Sequence, residues 1–139
     1  MNSSHSQRLP IRVQYFETDG QGRVHHSQYL NYFERGRVEM LRSIGISYRE
    51  LEQAGLMLVV RSMHVDFRVP ARFDDELELH TSLRHSHGAR VEHGYELVRH
   101  GDLDSPPTTM VTGHSVIACV DRDGIVRRLP KELQLLKSN

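Results

Sequence analysis

Residues 27–45 read SQYLNYFERGRVEMLRSIG, and the arrangement of the whole chain can be worked out from this stretch. Its apolar residues recur with the 3.6-residue period of an α-helix. One stripe of that helix carries Tyr29, Phe33, Gly36 and Met40. Ser27 suits the N-cap position, and Gly45 stands where helices commonly end. The stretch predicts one long helix, and the glycine in its apolar face predicts close packing on a sheet.

The segments that flank this helix alternate apolar and polar residues, which is the period of a β-strand. One such segment, 9–15, precedes the helix. Four more follow it, at 63–69, 77–83, 91–97 and 110–120. The pattern therefore predicts the α+β class, with an antiparallel sheet wrapped around one helix. The free edges of such a sheet need covering, which favours dimerisation.

Smaller elements complete this prediction. Ser47 and Glu50 form a capping box, so a short helix should begin there and end near Gly55. The turn at 121–124 predicts a hairpin into residues 125–128, and residues 131–136 predict a closing helix.

The composition narrows the class of protein. The 139 residues suit one domain, which we expect at 8–137 after a polar, disordered segment at 1–7. The 18 basic and 18 acidic side chains balance, which argues against a nucleic-acid partner. No apolar run reaches the roughly 18 residues of a membrane span. The single cysteine, Cys119, predicts a reduced thiol and a cytoplasmic protein.

Several catalytic motifs are absent from the sequence. It contains no phosphate-binding loop, no dinucleotide-binding glycine pattern and no serine-hydrolase elbow. The ten histidines and the acidic residues show no recognisable spacing of metal ligands, so we expect no metal site.

The densest group of candidate residues is the segment 15–27, which joins the first strand to the long helix. The N-terminus of a helix offers unpaired N–H groups that can stabilise an oxyanion. A carboxylate such as that of Asp19 could then activate water or attack an acyl carbon. The alternative interpretation is that Asp19 and Gly20 only form a turn.

Three stretches resemble a known family: ETDGQGRVHHSQY at 17–29, YFERGRVEMLR at 32–42 and FRVPARFDD at 67–75. They are similar to the 4-hydroxybenzoyl-CoA thioesterase family, especially to the acyl-CoA thioesterases of the bacterial Tol-Pal gene cluster. The resemblance implies the hotdog fold, an acyl-CoA or acyl carrier protein substrate, and no cofactor. It also implies a homodimer or homotetramer with the active site at the dimer interface.

The resemblance also implies the roles of individual residues. Asp19 matches the catalytic aspartate, as nucleophile or as general base. His26 matches the residue whose backbone N–H polarises the thioester carbonyl, and its side chain matches a histidine near the site. Tyr15 matches an aromatic residue that lines the site. The chain departs from the common pattern at Glu17, which is usually aspartate, and at His25, which is usually aromatic.

Two other functions stay open at this stage. One is a hotdog hydratase or dehydratase, although the histidine and acid that such an enzyme needs are not found at the required spacing. The other is a non-catalytic module that binds acyl-CoA. On the helix, Glu34 is open to two interpretations. Some hotdog thioesterases have a catalytic glutamate on this helix, and Glu34 borders the apolar stripe. Alternatively, Glu34 and Arg37, like Arg35 and Glu39, have the spacing of surface ion pairs.

Overall fold

Residues 5–134, the part of the chain that this computed structural model describes, form five strands and two α-helices. The strands are β1 (Ser6–Arg12), β2 (Leu56–Phe67), β3 (Glu76–His87), β4 (Arg90–Arg99) and β5 (Thr108–Asp121). The α-helices are α1 (His26–Ser43) and α2 (Tyr48–Gln53), and short 3₁₀ turns lie at Tyr15–Glu17 and Lys131–Leu133. No helix in this range is long and apolar enough to cross a membrane.

The strands make one antiparallel sheet in the order β1-β3-β4-β5-β2. The order places β1 and β2 at the two edges and β4 in the centre. Helix α1 packs on one face of this sheet, and the predicted α+β class is confirmed.

Close contacts hold α1 to the sheet. The ring of Phe33 stacks on that of Tyr95 in β4, with centroids 4.2 Å apart and planes only 7° apart. One turn further along, Gly36 lies directly over Thr81 and Leu79 of β3. The missing side chain lets the helix approach, as its position in the apolar stripe predicts.

The chain is ordered closer to its start than the composition suggests. Disorder was expected over 1–7, but Ser6 pairs with Ser82 and Gln7 pairs with Thr81. In addition, the N–H of Leu83 donates to the carbonyl of His5. The prediction is wrong for residues 5–7, because their backbone groups pair with those of β3 and extend the sheet. Residues 1–4 lie outside the described range.

The elements at the two chain ends differ from the prediction, since β1 has the predicted seven residues but lies three residues earlier in the chain. Strand β1 stops at Arg12, so Tyr15 lies in a 3₁₀ turn and not in the strand. The segment 125–128 makes one isolated bridge, between Val120 and Val126. The closing segment is a single 3₁₀ turn, and its last predicted residues, 135 and 136, are not among the described residues.

The charged side chains of α1 are arranged differently from the prediction. Neither expected pair, Glu34–Arg37 or Arg35–Glu39, forms an ion pair within the described residues; Glu39 instead pairs with Arg42. Arg37 is buried, at 5% exposure, because it shares the face of the helix that meets the sheet. It lies four residues after Phe33 and three before Met40, and this spacing could have revealed its burial.

Acid should destabilise the protein through His93, which is 3% exposed in the centre of the sheet. Burial, helped by the positive charge of Arg37, lowers the pKa of His93 to about 3. At mildly acidic pH, His93 therefore binds a proton in the unfolded chain but not in the folded chain. As the pH falls below about 6.5, this group should remove up to about 1.4 kcal/mol of unfolding free energy per pH unit.

Urea unfolding between pH 7 and pH 4 measures this effect. His93→Leu, which cannot titrate, should show a flatter pH dependence than the parent, whatever its absolute stability. Equal slopes for the two proteins would contradict the assignment.

Candidate active site

The segment between the first 3₁₀ turn and α1 folds back on itself as a tight hairpin. Thr18 and Val24 form an antiparallel bridge, and the N–H of Asp19 donates to the carbonyl of Arg23 at 2.8 Å. Gly22 closes the turn with a φ of +81°, a conformation that favours glycine. The hairpin therefore brings Asp19 beside the residues that lead directly into α1.

The carboxylate of Asp19 uses one of its two oxygens in this turn. Its Oδ1 accepts hydrogen bonds from the N–H groups of Gln21, at 2.8 Å, and Arg23, at 3.4 Å. Its Oδ2 has no hydrogen-bond partner within residues 5–134. Oδ1 thus stabilises the turn, as the alternative interpretation states, while Oδ2 could still act as a proton acceptor or nucleophile.

Buried contacts anchor the hairpin to α1. The N–H of His25 donates to the carbonyl of Glu17, whose buried carboxylate accepts from the hydroxyl of Tyr32 at 2.8 Å. Burial and this carboxylate raise the pKa of Tyr32, so its hydroxyl stays a donor. On the far side, Val24 donates to the carbonyl of Ala71. The unusual Glu17 therefore has a structural role in this chain.

The first turn of α1 presents one unused N–H group. His25, and not the predicted Ser27, is the N-cap: its Nδ1 accepts from the N–H of Ser27 at 3.2 Å and lies 2.8 Å from the Ser27 hydroxyl. The N–H of Gln28 donates to the carbonyl of His25. The N–H of His26 has no acceptor in the described part of the chain. It is the amide that the resemblance assigns to the thioester carbonyl.

Removal of the His25 cap should loosen this turn. We expect His25→Ala to lower the unfolding free energy by about 0.5–2 kcal/mol and to lower kcat, because the His26 amide is then held less firmly. His25→Asn, which can cap the same N–H, should restore both quantities. Urea unfolding and kcat measurements on the two variants test this, and equal losses in both would exclude a capping role.

Two aromatic side chains flank the site at the surface. Tyr15, which the resemblance assigns to the site, packs edge-on against Phe73 with centroids 5.5 Å apart, and it is 76% exposed. Phe67, at the end of β2, lies 5.6 Å from the ring of Tyr29 in the first turn of α1. It is 56% exposed. The alternating pattern places Phe67 in a strand, but it cannot show that this strand ends beside the helix N-terminus.

A groove of about 300 Å³ runs between α1 and the edge strand β2. It is lined by Leu30, Asn31, Glu34, Arg37, Val60 and Met63. Leu30 lies one helical turn after His26, so the groove begins close to the free amide. No group of three or more histidine, cysteine, aspartate or glutamate side chains within residues 5–134 could hold a metal ion.

Comparison with known families identifies the scaffold that carries this geometry. Residues 13–135 match the family described as the thioesterase-like superfamily. The chain belongs to this superfamily. The resemblance drawn from the three sequence stretches is thus confirmed, as is the hotdog fold.

Individual thioesterases support the same assignment. The acyl-CoA thioester hydrolase YbgC of Escherichia coli O6:H1 is 34% identical over 127 residues, which span 91% of each chain. A probable thioesterase from Bartonella henselae is 35% identical with a TM-score of 0.80, covering 90% of this chain and 99% of that one. A 4-hydroxybenzoyl-CoA thioesterase, at 15% identity, shares the fold with a TM-score of 0.86 over 97% of this chain and 100% of its own.

Proposed function

We propose that this thioesterase-like protein is an acyl-CoA thioesterase that converts RCO–S–CoA and water into a carboxylate and free CoA. The main support is the pairing of a carboxylate that has one free oxygen with the unused amide at the start of α1. The names of the relatives support the same reaction class. We also propose a cytoplasmic location, in keeping with the single free cysteine, Cys119.

In the proposed reaction, the thioester carbonyl oxygen accepts a hydrogen bond from the N–H of His26. This donor stabilises the oxyanion that forms as the carbonyl carbon is attacked, a contribution of about 3–4 kcal/mol for one such donor. The exposed imidazole of His26, which stacks on that of His25 with centroids 4.2 Å apart, is proposed to lie beside the bound thioester. Tyr15 is proposed to line the site.

Asp19 can act in either of two ways. As general base, its Oδ2 takes a proton from water, the water oxygen bonds to the acyl carbon, and the C–S bond breaks to release CoA, which regains the proton. As nucleophile, Oδ2 itself bonds to the acyl carbon, CoA leaves, and water then hydrolyses the anhydride. In a single turnover in H₂¹⁸O, the appearance of ¹⁸O in the Asp19 carboxylate would identify the nucleophilic route, with water attacking the Asp19 carbonyl of the anhydride. Neither route needs a cofactor, since a thioester is already an activated acyl group.

The proposed assembly is a homodimer, or a tetramer of two dimers, joined through the edge strand β2. This strand is 12 residues long and exposes Val59, at 40%, together with Val60 and Phe67. An apolar edge of this length is a template for pairing with another strand. Pairing of two β2 strands would also place the groove beside α1 next to the partner subunit.

A charge on this edge should weaken the assembly. Val59→Glu is expected to shift the protein to monomers, because the carboxylate would have to be desolvated between two strands. Val126→Glu, on the exposed hairpin beyond β5, is the matched control. Sedimentation velocity measures both; an unchanged oligomer in Val59→Glu would contradict an interface through β2.

Release of free CoA from a panel of aromatic, short-chain and fatty acyl-CoAs tests the proposed function. Turnover of any member supports it, and comparison with the same acyl group on acyl carrier protein identifies the carrier. Hydration of crotonyl-CoA would instead favour the hydratase, and binding without turnover would favour the non-catalytic module.

A further inference from the structure

Arg37 is a buried cation without a buried counter-charge. Its Nη1 donates to the hydroxyl of Tyr95 at 3.0 Å, and that hydroxyl lies 2.5 Å from the hydroxyl of Ser115. The side chain of Tyr48 also lies close to the Arg37 guanidinium: burial raises the pKa of the Tyr48 hydroxyl, and the positive charge of Arg37 acts to lower it. Within residues 5–134, no carboxylate oxygen lies within 4 Å of the guanidinium, and its buried Nε has no acceptor. All of its hydrogen-bond partners are therefore neutral hydroxyl groups.

Such an arrangement is costly unless something compensates it. Buried charges in proteins are normally paired, because removal of an ion from water costs several kcal/mol. Glu34, three residues away on α1, is exposed and makes no ion pair with Arg37 in the described structure. His93 on the other side stays neutral at ordinary pH. The charge of Arg37 therefore remains available to an anion that enters from the groove.

The groove beside α1 connects this cation with the proposed reaction centre. Arg37 lines the groove at one end, and Leu30 lines it near the start of the helix. Eleven residues separate His26 from Arg37, which corresponds to about 16 Å along the helix axis. Between the two ends, Val60 and Met63 provide apolar contacts.

We propose that this groove holds the acyl chain of the substrate and that Arg37 binds a carboxylate at the distal end of that chain. The substrate class is then medium-chain ω-carboxyacyl thioesters, in which a second carboxylate replaces the terminal methyl group. This inference rests on the proposed thioesterase function and specifies its substrate.

Matched pairs of thioesters test this substrate class. Suberyl-CoA and octanoyl-CoA have the same number of acyl carbons and differ in the terminal group, as do adipyl-CoA and hexanoyl-CoA. The parent enzyme should show a kcat/KM that is roughly 10- to 100-fold higher for the carboxylate-ended member of the better pair, as expected for a charge-assisted hydrogen bond. Equal rates, or a preference for the methyl-ended member, would overturn the proposal.

Substitutions on α1 test which of its residues causes the preference for the carboxylate-ended thioester. Arg37→Met should abolish the ratio of the two rates, whereas Arg35→Met, on the exposed face of the same helix, should leave it unchanged. Glu34→Gln should raise the ratio, because it removes a negative charge from the groove. If Arg37→Met lowers both rates by the same factor, Arg37 only supports the packing of the helix and the proposal is wrong.

Two further measurements do not depend on a folded variant, and the second of them does not depend on turnover either. Free suberate should inhibit the parent enzyme more strongly than octanoate, and equal inhibition would contradict the proposal. If no thioester is hydrolysed, the proposed function fails, but calorimetry still tests the groove. Tighter binding of suberyl-CoA than of octanoyl-CoA would support the carboxylate site, and equal binding would exclude it.

Discussion

Asp19→Asn is expected to lower kcat/KM for the best acyl-CoA substrate by roughly 10²–10⁴-fold, the range of one general acid–base group. Asparagine removes the negative charge, and with it both the proton acceptor and the nucleophile. Measurement of CoA release by the purified variant checks this expectation.

The substitution should leave the loop intact. The amide oxygen of asparagine can still accept from the N–H groups of Gln21 and Arg23, which Oδ1 of Asp19 accepts now. The melting temperature should therefore change little, and a loss of rate reports on chemistry. Asp123→Asn, in the exposed turn after β5, is the control for loss of an acidic side chain. A variant at position 19 that hydrolyses the thioester as fast as the parent would falsify the catalytic role.

Gly36→Val is expected to prevent folding, and Gly36→Ala to lower the unfolding free energy by about 1–3 kcal/mol. A Cβ at this position would lie 2.3 Å from Oγ1 of Thr81 and 2.8 Å from Cδ2 of Leu79. Alanine favours the helix over glycine by only about 1 kcal/mol. The steric clash should outweigh this gain in helix propensity, because Thr81 and Leu79 are both buried in the strand beneath the helix.

A double-mutant cycle measured by urea unfolding tests the cause. Thr81→Ala removes the closest atom, and Oγ1 of Thr81 has no hydrogen-bond partner among the described residues. Gly36→Ala should therefore cost less in the Thr81→Ala background than in the parent. Gly20→Ala, where a new Cβ meets nothing within 4 Å, is the control for a glycine substitution without a clash. Equal costs of Gly36→Ala in the two backgrounds would show that another contact is responsible.

Much of the fold and part of the site could be predicted from periodicity and motifs. The α1 stripe, the capping box at Ser47 and the order of strands after the helix are confirmed. The loop at 15–27 was identified as the place where a carboxylate meets the start of a helix. The catalytic roles of Asp19 and His26 and the substrate-binding role of Tyr15 remain predictions, since a motif states residue types and not atomic distances.

The sequence alone determined the main helix, the order of the strands and the family. Helix and strand periods and loop motifs are local patterns, formed by residues that lie close together in the chain. Only the tertiary structure decided which residues that are distant in the chain come into contact. It paired Ser6 with Ser82, left β2 at an edge, and buried Arg37 among hydroxyl groups from β4, β5 and α2. It also left one oxygen of Asp19 and the amide of His26 without partners. These features depend on contacts between distant segments, which hydrophobic spacing within one segment does not encode.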